Sequence, residues 1–279
     1  MEATTTRTAH ALAAAMAAAA KPRPGQAPRL LDVVHGSLLA SPDGSPGIVD
    51  GIDNADAGAD GEVALVKDYP GALSVELPAW RGGLEATLEQ AIVGRSSHYE
   101  FASRSLSLSD LGGLLHLGAG TKRLAEAPLG TVPVRMAPSA GSLQPVNLYV
   151  AARRVEGVEA ALYHYHPVRH ALELARPGDP GPAFASCFMQ EFVAASPVVL
   201  VLTCSLDRVV WHYGPRAYRS AHLDAGVLAQ NLMLAATGLG LASCAVFGFY
   251  DELLDAVLGA DGHDEFTALA LALGHPVRP

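Results

Sequence analysis

Charge and cysteine are both in short supply in this chain, and each shortage removes a class. Only 17 % of its 279 residues are charged and 6 % are aromatic, while half are hydrophobic. A disordered chain is poorer in apolar residues and richer in charge, so the composition fits a protein with much buried or subunit-interface surface. Basic residues number 19 against 28 acidic ones, a net charge of -9. A general nucleic-acid binder carries a basic stripe, and that class is set aside. An anionic cofactor is not, because one or two arginines and some backbone N–H groups suffice for a phosphate. The cysteines are Cys187, Cys204 and Cys244. Their odd number and wide spacing make neither a disulfide framework nor a zinc pattern, and three buried thiols in a reducing cytoplasm are expected. No apolar run is long and unbroken enough to span a bilayer, since Asp224, Gln230 and Asn231 interrupt the longest. No membrane partner is expected.

Composition divides the chain into three. Residues 1–28 hold the alanine-rich run Ala11 to Ala20 followed by Lys21-Pro22-Arg23-Pro24, which reads as a flexible leader rather than a secretion signal. Residues 29–83 form an N-terminal segment whose loop, 41–62, is rich in Gly, Asp and Pro. Asp53, Asp56 and Asp60 there miss the calcium-loop spacing, so a solvated acidic loop is expected. Residues 84–279 alternate helical and strand patterns. Ser107 to Asp110 is a capping box for a helix to about Leu117. Val146 to Ala152 and Val198 to Thr203 read as strands, and Ala161 to Leu174 as a hairpin turning at Pro167 to Arg169. His222 to Leu241 is apolar on nearly every face, so burial on all sides is expected, as the central helix of a layered domain or at a dimer interface. Strands at Ala242 to Phe247 and Phe266 to Leu273 complete an α+β sandwich with a mainly antiparallel sheet.

Four stretches can carry chemistry. Arg95-Ser96-Ser97-His98-Tyr99 follows a predicted helix, and a cation with adjacent hydroxyls at a turn can grip a phosphate, although surface turns use the same residues. Pro138-Ser139-Ala140-Gly141-Ser142-Leu143-Gln144-Pro145 leads into a strand. Its prolines fix the loop and its small residues let backbone approach a flat ligand, with Gln144 and the serines free to bond a polar ring edge. His212-Tyr213, with Arg208, Arg216 and Arg219 near, can move protons or hold anions, or can be a polar approach to the long helix. Phe247-Gly248 and the chain end at Arg278 offer close backbone and a second phosphate partner. His164, His166 and His170 lack further ligands at metal spacing and read as surface or hairpin histidines, so no metal is expected.

In this order, from Lys67-Asp68-Tyr69-Pro70 to the C-terminus, these stretches resemble the nitroreductase family, and within it the SagB-type dehydrogenases. The Pro138 to Pro145 loop, Tyr163-His164-Tyr165, Tyr213-Gly214-Pro215-Arg216-Ala217-Tyr218-Arg219 and the helix from Asp224 to Leu241 carry the resemblance. It implies a three-layer sandwich and a cytoplasmic homodimer with FMN at the subunit interface. It also implies that Arg95 and Ser97, with Ser96 beside them and Arg278 as helper, hold the phosphate and ribityl chain. Pro138, Ser139, Ala140, Gly141, Ser142 and Gln144 then cradle the ring, and Phe247 and Gly248 bring backbone near it. Tyr99 stands where the family often has a second basic residue. In members that oxidise azolines to azoles, a Lys-Tyr pair before the long helix removes the substrate proton. Tyr213 matches that tyrosine, but His212 replaces the lysine.

The resemblance implies an FMN-dependent dehydrogenase acting on a heterocycle or amine in a peptide-derived natural product, with a cyclodehydratase or other biosynthetic partner. Two alternatives stay open: an NAD(P)H-dependent reductase of small acceptors, and a catalytically silent flavin-binding scaffold subunit.

Overall fold

The computed structural model describes residues 65–127 and 130–277. The leader 1–28, the acidic loop 41–62 and Arg278 lie outside the described residues. Seven strands form one antiparallel sheet: β1 (Ser74–Glu76), β4 (Val146–Ala152), β5 (Ala161–His166), β6 (Ala171–Pro177), β7 (Val198–Ser205), β8 (Ala242–Val246) and β9 (Glu265–Gly274). They lie in the order β1-β6-β5-β4-β7-β9-β8. A separate hairpin pairs β2 (Thr121–Ala127) with β3 (Gly130–Arg135). Since β1 precedes residue 84, the sheet also draws on the N-terminal segment.

Central strands β4 and β7 are buried on both faces, which is why they read as continuous apolar runs. Successive side chains still point to opposite sides. Leu148 and Val150 of β4, with Leu200 and Leu202 of β7, face one core; Tyr149, Ala151, Val199 and Val201 face the other. The first core is covered by α2 (Leu108–Ala119) and α6 (Ala217–Gly238), the second by α3 (Gly181–Cys187), α4 (Glu191–Ala195) and α7 (Asp251–Leu258). The result is the expected three-layer sandwich. All three cysteines are buried.

Helix α2 starts at the predicted cap, where Ser107 Oγ accepts from Asp110 N at 3.0 Å. It packs on α6 through Gly118, because a Cβ there would collide with the Leu232 side chain. Short helix α1 (Leu88–Gly94) opens with a complete capping box, Thr87 with Gln90, and lies beside the C-terminal end of α6, with Gly94 facing Thr237.

Among the described residues of one chain the long helix is covered on one side only. A stripe at Ala217, Ala221, Ala225, Leu228, Leu232 and Ala235 faces the core, while Leu223 is 64 % exposed and Val227 and Gly226 also lie outward. The small inward residues let α6 lie close to its neighbours, and its larger outward leucine and valine find no cover among the described residues.

Candidate active site

The loop from β3 to β4 makes one 3-10 turn, Ala140–Ser142, in which Gly141 has φ 58°; Ser142 and Gln144 take φ 58° and 53°. A non-glycine residue held at such φ costs on the order of 1–3 kcal/mol and persists only where its surroundings over-determine it. Here they do. Asp224 of α6 accepts from Ser139 Oγ at 2.7 Å and from Ala140 N at 3.1 Å. Ser139 Oγ in turn accepts from Gln144 N at 3.0 Å. From the other side, buried Arg208 of α5 (Asp207–Tyr213) donates to Gln144 O at 3.2 Å and to Asn147 Oδ1 at 2.8 Å. The loop is thus closed between a carboxylate and a guanidinium from two helices. Burial raises the Asp224 pKa, against the lowering effect of its Ser139 and Ala140 bonds.

Tyr213, the last residue of α5, reaches back over this loop. A Cβ on Gly141 would stand 2.7 Å from Tyr213 Oη, so only glycine leaves room for the hydroxyl. Burial, then the Asp224 carboxylate, raise the Tyr213 pKa and keep its proton on. His212 is exposed, its ring meeting that of Tyr213 edge to face at 4.6 Å between centroids. The structure therefore brings together Ser139, Ala140, Gly141, Gln144, Tyr213 and His212.

Arg95, Ser96, Ser97 and Tyr99 lie elsewhere. His98 N donates to Ser243 O at 3.1 Å, fastening the segment to β8, and Ser96 Oγ lies 3.0 Å from His98 Nε2. Tyr99 packs edge to face on Phe192, at 5.5 Å between centroids. Phe247, just past β8, is 69 % exposed, and Gly248 sits so close to Gln190 that a Cβ would come 2.7 Å from its amide nitrogen. Just past β9, His275 Nδ1 lies 2.7 Å from Arg104 Nη2. Asp224 and Thr237 mark the two regions on α6. The thirteen residue steps from one marker to the other span about 20 Å at 1.5 Å per residue, so the two groups stand apart in one chain.

Beneath the loop lies a polar network that sequence reasoning missed. Glu265 accepts from Lys67 Nζ and Thr203 Oγ1, each at 2.5 Å, and from Asn147 Nδ2 at 2.9 Å. Burial pushes the Glu265 pKa up, but the bonds from Lys67 and Thr203 outweigh it and leave it lowered. Asn147 joins this network to Arg208 and so to the loop. The only sequence signal was lone polar residues in apolar surroundings, such as Asp224 in its helix, which must find partners once buried.

The histidines prove to be hairpin residues, though His164 and His166 are buried rather than at the surface. His164 Nδ1 meets Glu173 Oε2 at 3.0 Å, and burial, then Lys67, lower the His164 pKa to about 3. Asp68, His166 and Glu173 could offer a metal three ligand atoms. The Arg169 guanidinium already bonds both carboxylates, and we assign no metal there.

Comparison with known proteins matches residues 92–275 to the profile of the Nitroreductase family. MJ1384 of Methanocaldococcus jannaschii, which carries a nitroreductase name, is 33 % identical over 194 residues, 69 % of this chain and 93 % of that protein. The trifolitoxin-processing protein TfxB of Rhizobium leguminosarum bv. trifolii is 29 % identical over 44 % of this chain and 35 % of its own length. The microcin B17-processing protein McbC of Escherichia coli is 26 % identical over 44 % of this chain and 48 % of its own. A chain of the E. coli McbBCD microcin synthetase complex, solved with truncated pro-MccB17 bound, shares the fold at a TM-score of 0.54 and 19 % identity, over 71 % of this chain and 76 % of that one. No helix among the described residues is long and apolar enough to cross a membrane.

Proposed function

The chain belongs to the nitroreductase family, whose members are generally flavin oxidoreductases, and from that premise we propose that it is an FMN-dependent dehydrogenase acting on a heterocycle (azoline to azole) or an amine in a peptide-derived natural product. The observation that carries this reading is the Pro138–Pro145 loop, locked from two sides, with the Tyr213 hydroxyl directly over Gly141. A ring-cradling loop and a proton-handling side chain thereby share one place. TfxB and McbC, both named for processing a peptide product, support the substrate class and the expectation of a biosynthetic partner.

The residues fit FMN. Arg95, with Ser96 and Ser97, offers a cation and two hydroxyls at a turn, a donor set for a phosphate. The loop offers narrow backbone for a flat ring. Because the two groups stand about 20 Å apart along α6, a second copy is what completes the site: one protomer supplies the phosphate end and its partner the loop. The outward face of α6 at Leu223 and Val227, and Ile92 and Val93 on α1, supply apolar surface for that dimer.

FMN, when bound, supplies the two-electron acceptor. The protein handles the proton. Tyr213 is a phenol at neutral pH, and its raised pKa holds it so more firmly. To take a substrate proton at Oη, it must first pass its own to a base, a part this reading gives to His212, whose ring adjoins that of Tyr213.

The test is direct. The purified protein should be yellow, release FMN on heating and run as a dimer by light scattering. A colourless protein that takes up no added FMN overturns the reading. One observation favours a second reading, an NAD(P)H-dependent reductase of small acceptors: MJ1384, which carries a nitroreductase name, aligns over far more of its length than TfxB or McbC. Anaerobic NADPH that bleaches the flavin, with no bleaching by azoline-bearing peptide, would decide for it.

A further inference from the structure

Arg135 ends β3 at the foot of the same loop, and among the described residues no salt bridge matches its charge. Its Nη1 donates to Val146 O at 3.3 Å, tying one stem of the loop to the other. Its Nε is shut off from solvent with no hydrogen-bond partner. Among the described residues no carboxylate lies within ion-pair distance of it. The nearby charge that matters is another cation, Arg208, which together with burial lowers the Arg135 pKa to about 9 and so leaves it charged at neutral pH. Two cavities of about 10 Å³ touch it, one bounded by Pro138, Ser139, Gln144 and Asp224, the other by Lys67, Asn147, His164 and Tyr165. Each has room for about one water. Water can solvate a guanidinium, but it does not neutralise one.

A half-buried cation with its Nε shut off from solvent and no carboxylate beside it among the described residues carries a desolvation cost. It is retained where negative charge arrives in use. On the flavin reading above, charge does arrive at this loop. Two electrons and one proton passed from substrate to the flavin leave one net negative charge there, while the second substrate proton goes to the Tyr213–His212 pair and on to solvent. We propose that Arg135 is an electrostatic positioning residue: from the foot of the loop, its uncompensated charge favours the reduced, more negative state of the flavin that the loop cradles. The inference rests on that flavin reading. It assigns Arg135 no contact with substrate and no proton to move.

The experiment is a midpoint-potential measurement on full-length, FMN-loaded protein, by spectroscopic equilibration against reference dyes. Arg135→Gln should lower the potential, so that at a fixed poise the ratio of reduced to oxidised flavin falls about tenfold or more, about 30 mV for a two-electron couple. Arg135→Lys should stay within about threefold of wild type at pH 7. If Arg135→Gln does not hold flavin, Arg135→Lys decides alone. A buried lysine loses its proton far more readily than arginine, so its potential should fall more steeply than that of wild type between pH 6 and 9. A purely structural role would move stability but leave the potential where it was. An unmoved potential in Arg135→Gln, or parallel pH lines for Arg135→Lys and wild type, overturns the role of Arg135. Wild-type protein that takes up no FMN overturns the flavin reading instead.

Discussion

Two regions of this molecule hold candidate cofactor residues, and the chain treats them differently. The Pro138–Pro145 loop is bound through Ser139, Ala140 and Gln144 to Asp224 and Arg208, with Glu265 and Asn147 behind them. The Arg95–Tyr99 segment is held to β8 only at its middle, by a short parallel bridge between Ser97 and Ser243, the His98 N–H to Ser243 O bond and a Ser97 contact with Cys244, and Ser96, Ser97 and Tyr99 are exposed. A site that must present fixed geometry to a reacting ring needs side chains locked in advance. A site that grips a phosphate needs only reach and charge, and can be completed on binding. The difference fits a ring end built by the chain itself and a phosphate end finished by ligand and partner.

The comparison breaks most visibly at Tyr213, where the locked region meets chemistry. Proton-transfer assistance is typically worth about 10²- to 10⁴-fold in rate. Tyr213→Phe should retain FMN and the dimer and lose turnover on that scale, and His212→Ala should follow it if the imidazole receives the phenol proton. Steady-state rates across pH 5 to 9 check both. Normal turnover by His212→Ala would mean that the phenol proton leaves Tyr213 by another route, to solvent or a different base.

Glu265 tests whether the support under the loop is as firm as its bonds imply. Removing one partner from a buried, charge-bearing network costs on the order of 3–5 kcal/mol. Glu265→Gln should lower the urea midpoint accordingly and weaken FMN retention. The pH dependence has a definite sign. With its folded-state pKa lowered, Glu265 contributes stability above its unfolded pKa and loses it as pH falls through the lower folded value. Wild type should therefore lose stability between pH 7 and about pH 3 more steeply than Glu265→Gln, in paired denaturation curves.

Gly141 and Gly130 sharpen the contrast between conformation and contact. Both take positive φ, 58° and 94°, but only Gly141 has a neighbour where a Cβ would go. Each alanine variant should cost on the order of 1–3 kcal/mol in backbone strain. Gly141→Ala should in addition displace Tyr213 and lower turnover at least about tenfold, whereas Gly130→Ala should leave turnover intact. Equal turnover in the two variants would mean that the Tyr213 hydroxyl does not need its place over the loop.

What could be read from the sequence follows the same division. The Pro138–Pro145 loop was legible because prolines, glycine and serines at that spacing limit what backbone can do, and β4 was legible because β-branched residues bounded by Pro145 leave few alternatives. Helix α6 was read as starting at His222, but it begins at Ala217, since Tyr218 and Arg219 broke the apolar pattern without breaking the helix. Its outward face was not legible as exposed: leucine and valine look alike whether they meet a core or a partner. The partners that lock the loop were missed because they are distant in sequence. Arg208 reaches Asn147 across 61 residues and Glu265 reaches it across 118, and periodicity reports only near neighbours.

The smallest effect on the fold should come from the loosely held region, and that makes it the cleanest test of the contrast. Arg95 closes α1 through its backbone, whose N–H donates to Ala91 O, and that bond survives truncation of the side chain. Surface truncations of this kind usually change stability by no more than about 0.5 kcal/mol. Arg95→Ala and Ser97→Ala should therefore unfold with wild-type curves. A charge-assisted bond to phosphate is worth more than that, about 1.5–3 kcal/mol, so Arg95→Ala should weaken FMN binding roughly tenfold to a hundredfold by fluorescence titration. Ser97→Ala, which removes a neutral donor, should weaken it less. Asp224→Ala is the counterpart at the other end, where stability and FMN affinity should fall together because the carboxylate supports both. If Arg95→Ala lowered stability and left affinity untouched, the segment would be a structural turn, and the phosphate would have to be held elsewhere.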